Sequence, residues 1–136
     1  MVNLSEMHDK EKFELIGFDN GWDDESPIRR RIEKAFDRFI NISSVSDFAV
    51  VEWIKYEAVD IFINLNCFFG LSRNLVFSYK PVPNQVNYLG FPGTLGITYM
   101  DNIIAYKYLI PESSRDFYSE KVAYLRRAQS PSATIF

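Results

Sequence analysis

The chain has 136 residues, 47% of them hydrophobic and 24% charged, with a net charge of −3. That length and balance suit one globular domain spanning 1–136, able to bury roughly two-thirds of its unfolded surface. One cysteine, Cys67, excludes an internal disulfide, one histidine excludes a nitrogen–sulfur metal site, and no apolar run is long enough to span a membrane.

Residues 1–10 read as a loose polar segment containing the lone His8, an exposed bystander rather than a catalytic base. The polar start holds no signal-peptide core, so a cytoplasmic location is expected. Phe13–Phe18 reads as a short strand and Asp19-Asn20-Gly21 as a turn, since Asn-Gly enters the left-handed region cheaply. Trp22 and the acids Asp23, Asp24 and Glu25 follow. Ser26-Pro27 is a helix start, a capping hydroxyl ahead of a proline whose missing N–H costs nothing there. The pattern predicts a helix over 27–41 with Ile28, Ile32, Ala35, Phe36, Phe39 and Ile40 on its apolar face. Ser43–Ser46 reads as a linker.

The stretch 47–69 holds no Gly or Pro and ends at Gly70. Val50, Val51, Ile54, Ala58, Ile61, Phe62, Leu65, Phe68 and Phe69 fall on one helical stripe, so a charge such as Ile61→Lys is expected to unfold the domain. From Val59 onward the residues also alternate with period two, which suits a strand, and a strand pair turning near Glu57-Ala58 stays open. Leu75–Tyr79 reads as a strand and Val86–Leu89 as a short segment. Leu95–Ile110 reads as a hairpin turning at Asp101-Asn102, with Tyr99 and Ile104 cross-strand neighbours. Residues 113–128 read as a last helix and 129–136 as a loose tail. The fold class that follows is α+β: an antiparallel sheet with helices packed against it.

No motif for catalysis stands out. Asp19, Gly21, Asp23 and Glu25 partly match a calcium loop, but Asp24 stands where glycine is needed and Arg30 where a bidentate glutamate is needed. Gly90, Gly93 and Gly96 precede a strand, whereas a phosphate cradle needs a helix N-terminus. Arg30, Lys34 and Arg38 form a basic stripe on the 27–41 helix, read as a solvated face. No catalytic, cofactor or metal residue is therefore expected, and Cys67 is expected to be buried.

Charge is segregated along the chain. Residues 1–25 carry eight acids against two lysines, a net of −6, while residues 26–46 carry five bases against two acids, a net of +3. A small, acidic, aromatic-rich domain without catalytic motifs resembles the immunity proteins of bacterial toxin–immunity systems such as contact-dependent growth inhibition. That resemblance implies a non-enzymatic inhibitor that binds a cognate, basic, nuclease-type toxin domain, with no membrane or direct nucleic-acid partner. Asp19, Asp23, Asp24 and Glu25, with Trp22 as an aromatic anchor, are the expected partner-binding surface. Two other readings remain: a small enzyme with a carboxylate-based site in an aromatic pocket, and a nucleic-acid or regulatory adaptor using the basic helix.

Overall fold

The structure, a computed structural model, describes residues 2–125. The chain divides between Ser46 and Asp47 into two compact units, so the boundary falls at the end of the serine-rich linker.

The first unit is a βαβ arrangement preceded by a short helix. Helix α1 spans Val2–Glu6, strand β1 Ile16–Asp19, helix α2 Pro27–Ala35 and strand β2 Arg38–Asn41. The two strands pair in parallel, Ile16 beside Arg38 and Asp19 beside Asn41. Two parallel strands need a crossover between them, and α2 supplies it. Ser26 caps α2 from extended backbone, its Oγ accepting from Arg29 N at 3.1 Å, and Pro27 opens the helix. Gly17 is required where β1 meets β2, because a Cβ there would lie 2.7 Å from the Phe39 ring.

The predicted helix over 27–41 is thus half right. It ends at Ala35, and Phe36 is already extended. Phe36, Phe39 and Ile40 fit a helical face by spacing, but pairing with β1 takes them instead, which tertiary context decides. The basic stripe breaks with it, since Arg38 sits on β2. The segment 1–10, expected to be loose, contains α1.

The second unit is a four-stranded sheet with helices. Helix α3 spans Asp47–Tyr56, strand β3 Ile61–Asn64, helix α4 Asn74–Ser78, strand β4 Asn84–Tyr88, strand β5 Asn102–Ala105 and strand β6 Lys121–Tyr124, with a 3-10 helix over Glu112–Phe117. The strands lie in the order β3-β4-β5-β6 and every neighbouring pair is parallel. The antiparallel α+β expectation is therefore overturned: all strand pairs among the described residues are parallel, as crossover connections require.

The stretch 47–69 is neither one helix nor a strand pair. Val50, Val51 and Ile54 are the buried face of α3, the chain turns through Ala58 at a φ of +51°, and β3 follows. Ile61 is 54% exposed, so the stripe leaves the core there and Ile61→Lys would not strike a packed site. The 95–110 hairpin is absent. Ile104 lies beside Tyr88 and Ala123, not Tyr99, because β5 pairs in parallel on both sides. Leu75–Tyr79 is helical as far as Ser78, and the segment expected as a helix from 113 is the 3-10 turn and then β6. Its last residues, 126–128, and the 129–136 tail lie outside the described residues.

Among the described residues, two apolar clusters hold this sheet. Cys67, Phe77, Leu95 and Met100 pack together with Phe62, whose ring stacks on Phe77 at 4.2 Å between centroids. Ile103, Ala105, Ile110 and Val122 form the other. Gln85 is fully buried in β4 and its Nε2 donates to the carbonyls of Phe77 at 2.9 Å and Tyr99 at 2.6 Å, tying α4 and the β4–β5 connection to the sheet.

Candidate functional site at the carboxyl ends of the strands

In open parallel sheets, ligands bind where loops leave the carboxyl ends of the strands. In the second unit those ends are Asn64, Tyr88, Ala105 and Tyr124. The loops after β3 and β4 are built unlike the rest of the unit. Asn64 is 5% exposed, and its Oδ1 accepts from the backbone N–H of Asn66 at 3.0 Å and of Cys67 at 3.1 Å. Its Nδ2 donates to Asn74 Oδ1 at 3.0 Å, and Asn74 Nδ2 donates to the Cys67 carbonyl at 2.9 Å. Cys67 is held at a φ of +50° and Leu89, opening the next loop, at +71°. Such conformations are costly for non-glycine residues and concentrate where a surrounding network enforces them.

The two loops are in close contact. A Cβ on Gly90 would lie 2.8 Å from the Leu65 carbonyl oxygen and 3.0 Å from the Asn66 carbonyl carbon. The buried Cys67 thiol donates to Asn87 Oδ1 at 3.0 Å, and the rings of Phe69 and Phe91 meet edge to face at 6.1 Å. Phe68, Phe69, Leu71, Leu89 and Phe91 stay more than half exposed. The result is a double loop with an amide-lined base and an aromatic rim. Burial raises the Tyr88 hydroxyl above its ordinary range, with Tyr106 adding to the effect, so it stays protonated and able to donate.

Two surface hollows among the described residues lie away from this edge. One of about 300 Å³ lies between the 3-10 helix and the start of β6, among Glu112, Arg115 and Lys121, at the amino end of that strand. The other lies in the first unit beside Pro27, Arg30 and Lys34.

The chain matches the sequence model of glycosyl transferase family 41 over residues 1–130. The chain belongs to glycosyl transferase family 41. It is 34% identical over 125 residues to a probable UDP-N-acetylglucosamine–peptide N-acetylglucosaminyltransferase of Arabidopsis thaliana. It is 29% identical over 126 residues to the UDP-N-acetylglucosamine–peptide N-acetylglucosaminyltransferase of Caenorhabditis elegans. Each match covers 92% of this chain but only 13% and 11% of those relatives. A solved structure of an O-GlcNAc transferase mutant from Thermobaculum terrenum superposes with a TM-score of 0.87 at 25% identity, over 93% of this chain and 24% of that one. The chain thus spans about an eighth of the length of these curated relatives.

Family 41 membership overturns the immunity-protein reading, its toxin partner and the expectation of a non-enzymatic inhibitor, because the relatives are glycosyltransferases named for peptide and UDP-N-acetylglucosamine. The resemblance to immunity proteins rested on size, charge and missing motifs, none of which is specific to a family. Among the described residues, no group of three or more His, Cys, Asp or Glu side chains is placed to hold a metal, and no helix is long and apolar enough to cross a membrane.

The acidic segment 19–25 lies at the carboxyl end of β1 in the first unit. Asp19 Oδ2 accepts from Arg29 Nη2 at 2.7 Å and from Asn41 Nδ2 at 3.0 Å, so this acid fastens β1 to α2 and β2. Trp22 is 78% exposed, and Asp23 and Glu25 face solvent. The backbone N–H of Ser26 holds the Asp24 carboxyl below the usual range. His8, expected as an exposed bystander, is well covered and placed between two acceptors. Its Nδ1 lies 2.6 Å from the Ser5 carbonyl and its Nε2 2.9 Å from Asp37 Oδ2. Sequence reasoning missed Asn64, Asn74 and Asn87 as well. For Asn64 and Asn87 the signal was present, asparagines within apolar strand segments, which the interior accepts only when their amides are bonded, while Asn74 opens α4 and carries no such signal.

Proposed function

We propose that this chain is a substrate-binding segment of a UDP-N-acetylglucosamine-dependent peptide N-acetylglucosaminyltransferase, using the carboxyl edge of its four-stranded sheet. The observation that supports the reading is the amide-held, aromatic-rimmed double loop 64–70 and 88–94, standing where parallel sheets bind ligands, in a chain of family 41. Those two loops contain no Asp, Glu, His, Lys or Arg. They can orient a sugar or peptide by amide hydrogen bonds and aromatic contact, but they cannot take the proton an acceptor hydroxyl loses as UDP departs. That step falls to groups outside the double loop. Trp22, Asp23, Asp24 and Glu25 are, in the same reading, a contact for a basic stretch of the acceptor peptide. The cytoplasmic location belongs to the same proposal, and the free, buried thiol of Cys67 suits a reducing compartment.

The test is a titration followed by backbone amide shifts, once with UDP-N-acetylglucosamine and once with a lysine-flanked serine peptide. At least one ligand is expected to move resonances in 64–70 and 88–94, and the peptide to move Trp22. Shifts in neither loop with either ligand would overturn the reading.

A further inference from the structure

The second unit spends two asparagines on one turn. Asn64 accepts two backbone N–H groups, those of Asn66 and Cys67, and gives its own amide protons to Asn74. Asn74 completes the ring by donating to the Cys67 carbonyl and, at 3.4 Å, to Ser72 Oγ. The peptide plane on each side of Cys67 is thereby bonded to a side chain. Folding alone does not call for this arrangement. A glycine at position 67 would adopt a φ of +50° without strain, and an aliphatic residue at 64 would pack where β3 is buried. The second loop is fitted against the first with no spare room at Gly90. Rigid placement of Phe68 and Phe69, which remain about 60% exposed, is what the network achieves.

We infer that Asn64 and Asn74 are positioning residues, an amide clamp that preforms the β3–α4 loop so that its aromatic rim meets substrate without having to order on binding; this rests on the substrate-binding reading above. Preorganisation of this kind removes the ordering cost from the binding step. Because both partners are neutral, the clamp does not weaken with salt or with pH in the range where carboxylates titrate.

The test uses the full chain carrying Asn74→Ala, with Asn64→Asp as a second variant that keeps the acceptor for Asn66 and Cys67 but loses the proton donated to Asn74. Native-state labelling of the Cys67 thiol is expected to be about tenfold faster in Asn74→Ala and at least as accelerated in Asn64→Asp, which also buries a carboxylate against Asn74 Oδ1, because loss of buried hydrogen bonds opens this loop locally. Amide exchange at Ile103 and Val122, in the other apolar cluster, is expected to stay unchanged. Should Asn74→Ala fail to fold, the same comparison is read from Asn64→Asp. Labelling no faster than in the parent chain, or equal loss of protection at Ile103 and Val122, would overturn the clamp. Faster labelling with unaltered amide shifts on adding UDP-N-acetylglucosamine or the serine peptide leaves the clamp standing and sinks the substrate reading instead.

Discussion

The chain leaves a parallel strand through a side-chain acceptor at the strand's last residue at Asp19, at Asn41 and at Asn64, and the first and last of these turns use opposite chemistry. At Asp19 the acceptor is ionised. One oxygen receives Gly21 N at 3.2 Å and the other receives Arg29 and Asn41. At Asn64 the acceptor is a neutral amide, buried and answered by another amide. A charged turn draws strength from a partner across the unit and is open to solvent screening. A neutral turn can be buried outright, because no ion has to leave water. That contrast explains why the charged segment was easy to see in the sequence and the neutral one was not. Charge clusters are visible as composition, whereas an amide network becomes visible only when the fold brings residues 64, 74 and 87 together.

Breaking the neutral turn should have the larger effect. Gly90→Ala places a methyl group 2.8 Å from a backbone oxygen of the neighbouring loop, and backbone cannot swing aside as a side chain can. The expected loss is about 1–3 kcal/mol, the usual range for overpacking, read as a lower denaturant midpoint for the second unit. A variant as stable as the parent would mean that the two loops are not pressed together.

Next comes the charged turn. Asp19→Ala removes the acceptor of Arg29 and Asn41, while Glu33 still holds Arg29 Nε at 2.9 Å. With one partner kept, a loss of about 1–2 kcal/mol is expected, and part of it should vanish when parent and variant are compared at high salt. A loss that ignores salt would show the turn to be held by backbone geometry rather than by charge.

Local chemistry was legible in the sequence and long-range pairing was not. The capping signal at Ser26-Pro27 appears in the structure as the start of α2, and the Ser43–Ser46 linker as the boundary between units. Cys67 is buried, as its apolar neighbours imply. The topology escaped because parallel strands are joined only through crossovers, so no hairpin turn marks them. Each strand is also short, four or five residues. At that length Phe39-Ile40 fits the tail of a helix as well as a strand, and Ile97, Tyr99 and Ile104 can be joined into an alternating face that the chain never forms. Alanine disfavours positive φ, so nothing in the residue itself marks the turn at Ala58, yet the end of α3 and the start of β3 impose it there. The candidate site was less legible still. Its distinguishing residues are uncharged, and its two loops meet only after β3 and β4 have paired.

The smallest effect separates the ionised from the neutral most cleanly. In the first unit Asp37 gathers the N-terminal segment: Leu15 N donates to its Oδ2 at 2.9 Å, Lys10 lies 3.0 Å from Oδ1 and His8 2.9 Å from Oδ2. The Leu15 backbone N–H, with Lys10 and then His8 adding to it, lowers the Asp37 carboxyl from 3.8 to about 2. A carboxylate whose folded value is depressed lends its stability fully above the unfolded value and loses it as pH falls through the folded one. The contacts to residues 8–15 should therefore hold at neutral pH, begin to weaken below about 3.8 and be gone below about 2. Asp37 is exposed, so water screens the interaction and global stability should change little. The measurement is the Leu15 amide resonance through an acid titration: it should shift with a midpoint near 2, while the amides of Asn66 and Cys67, bonded to a group without a titrating proton, should not move in the same window. If Asn66 and Cys67 follow the same curve, their turn is coupled to an ionised group after all, and the division between a charged and a neutral way of ending a strand fails.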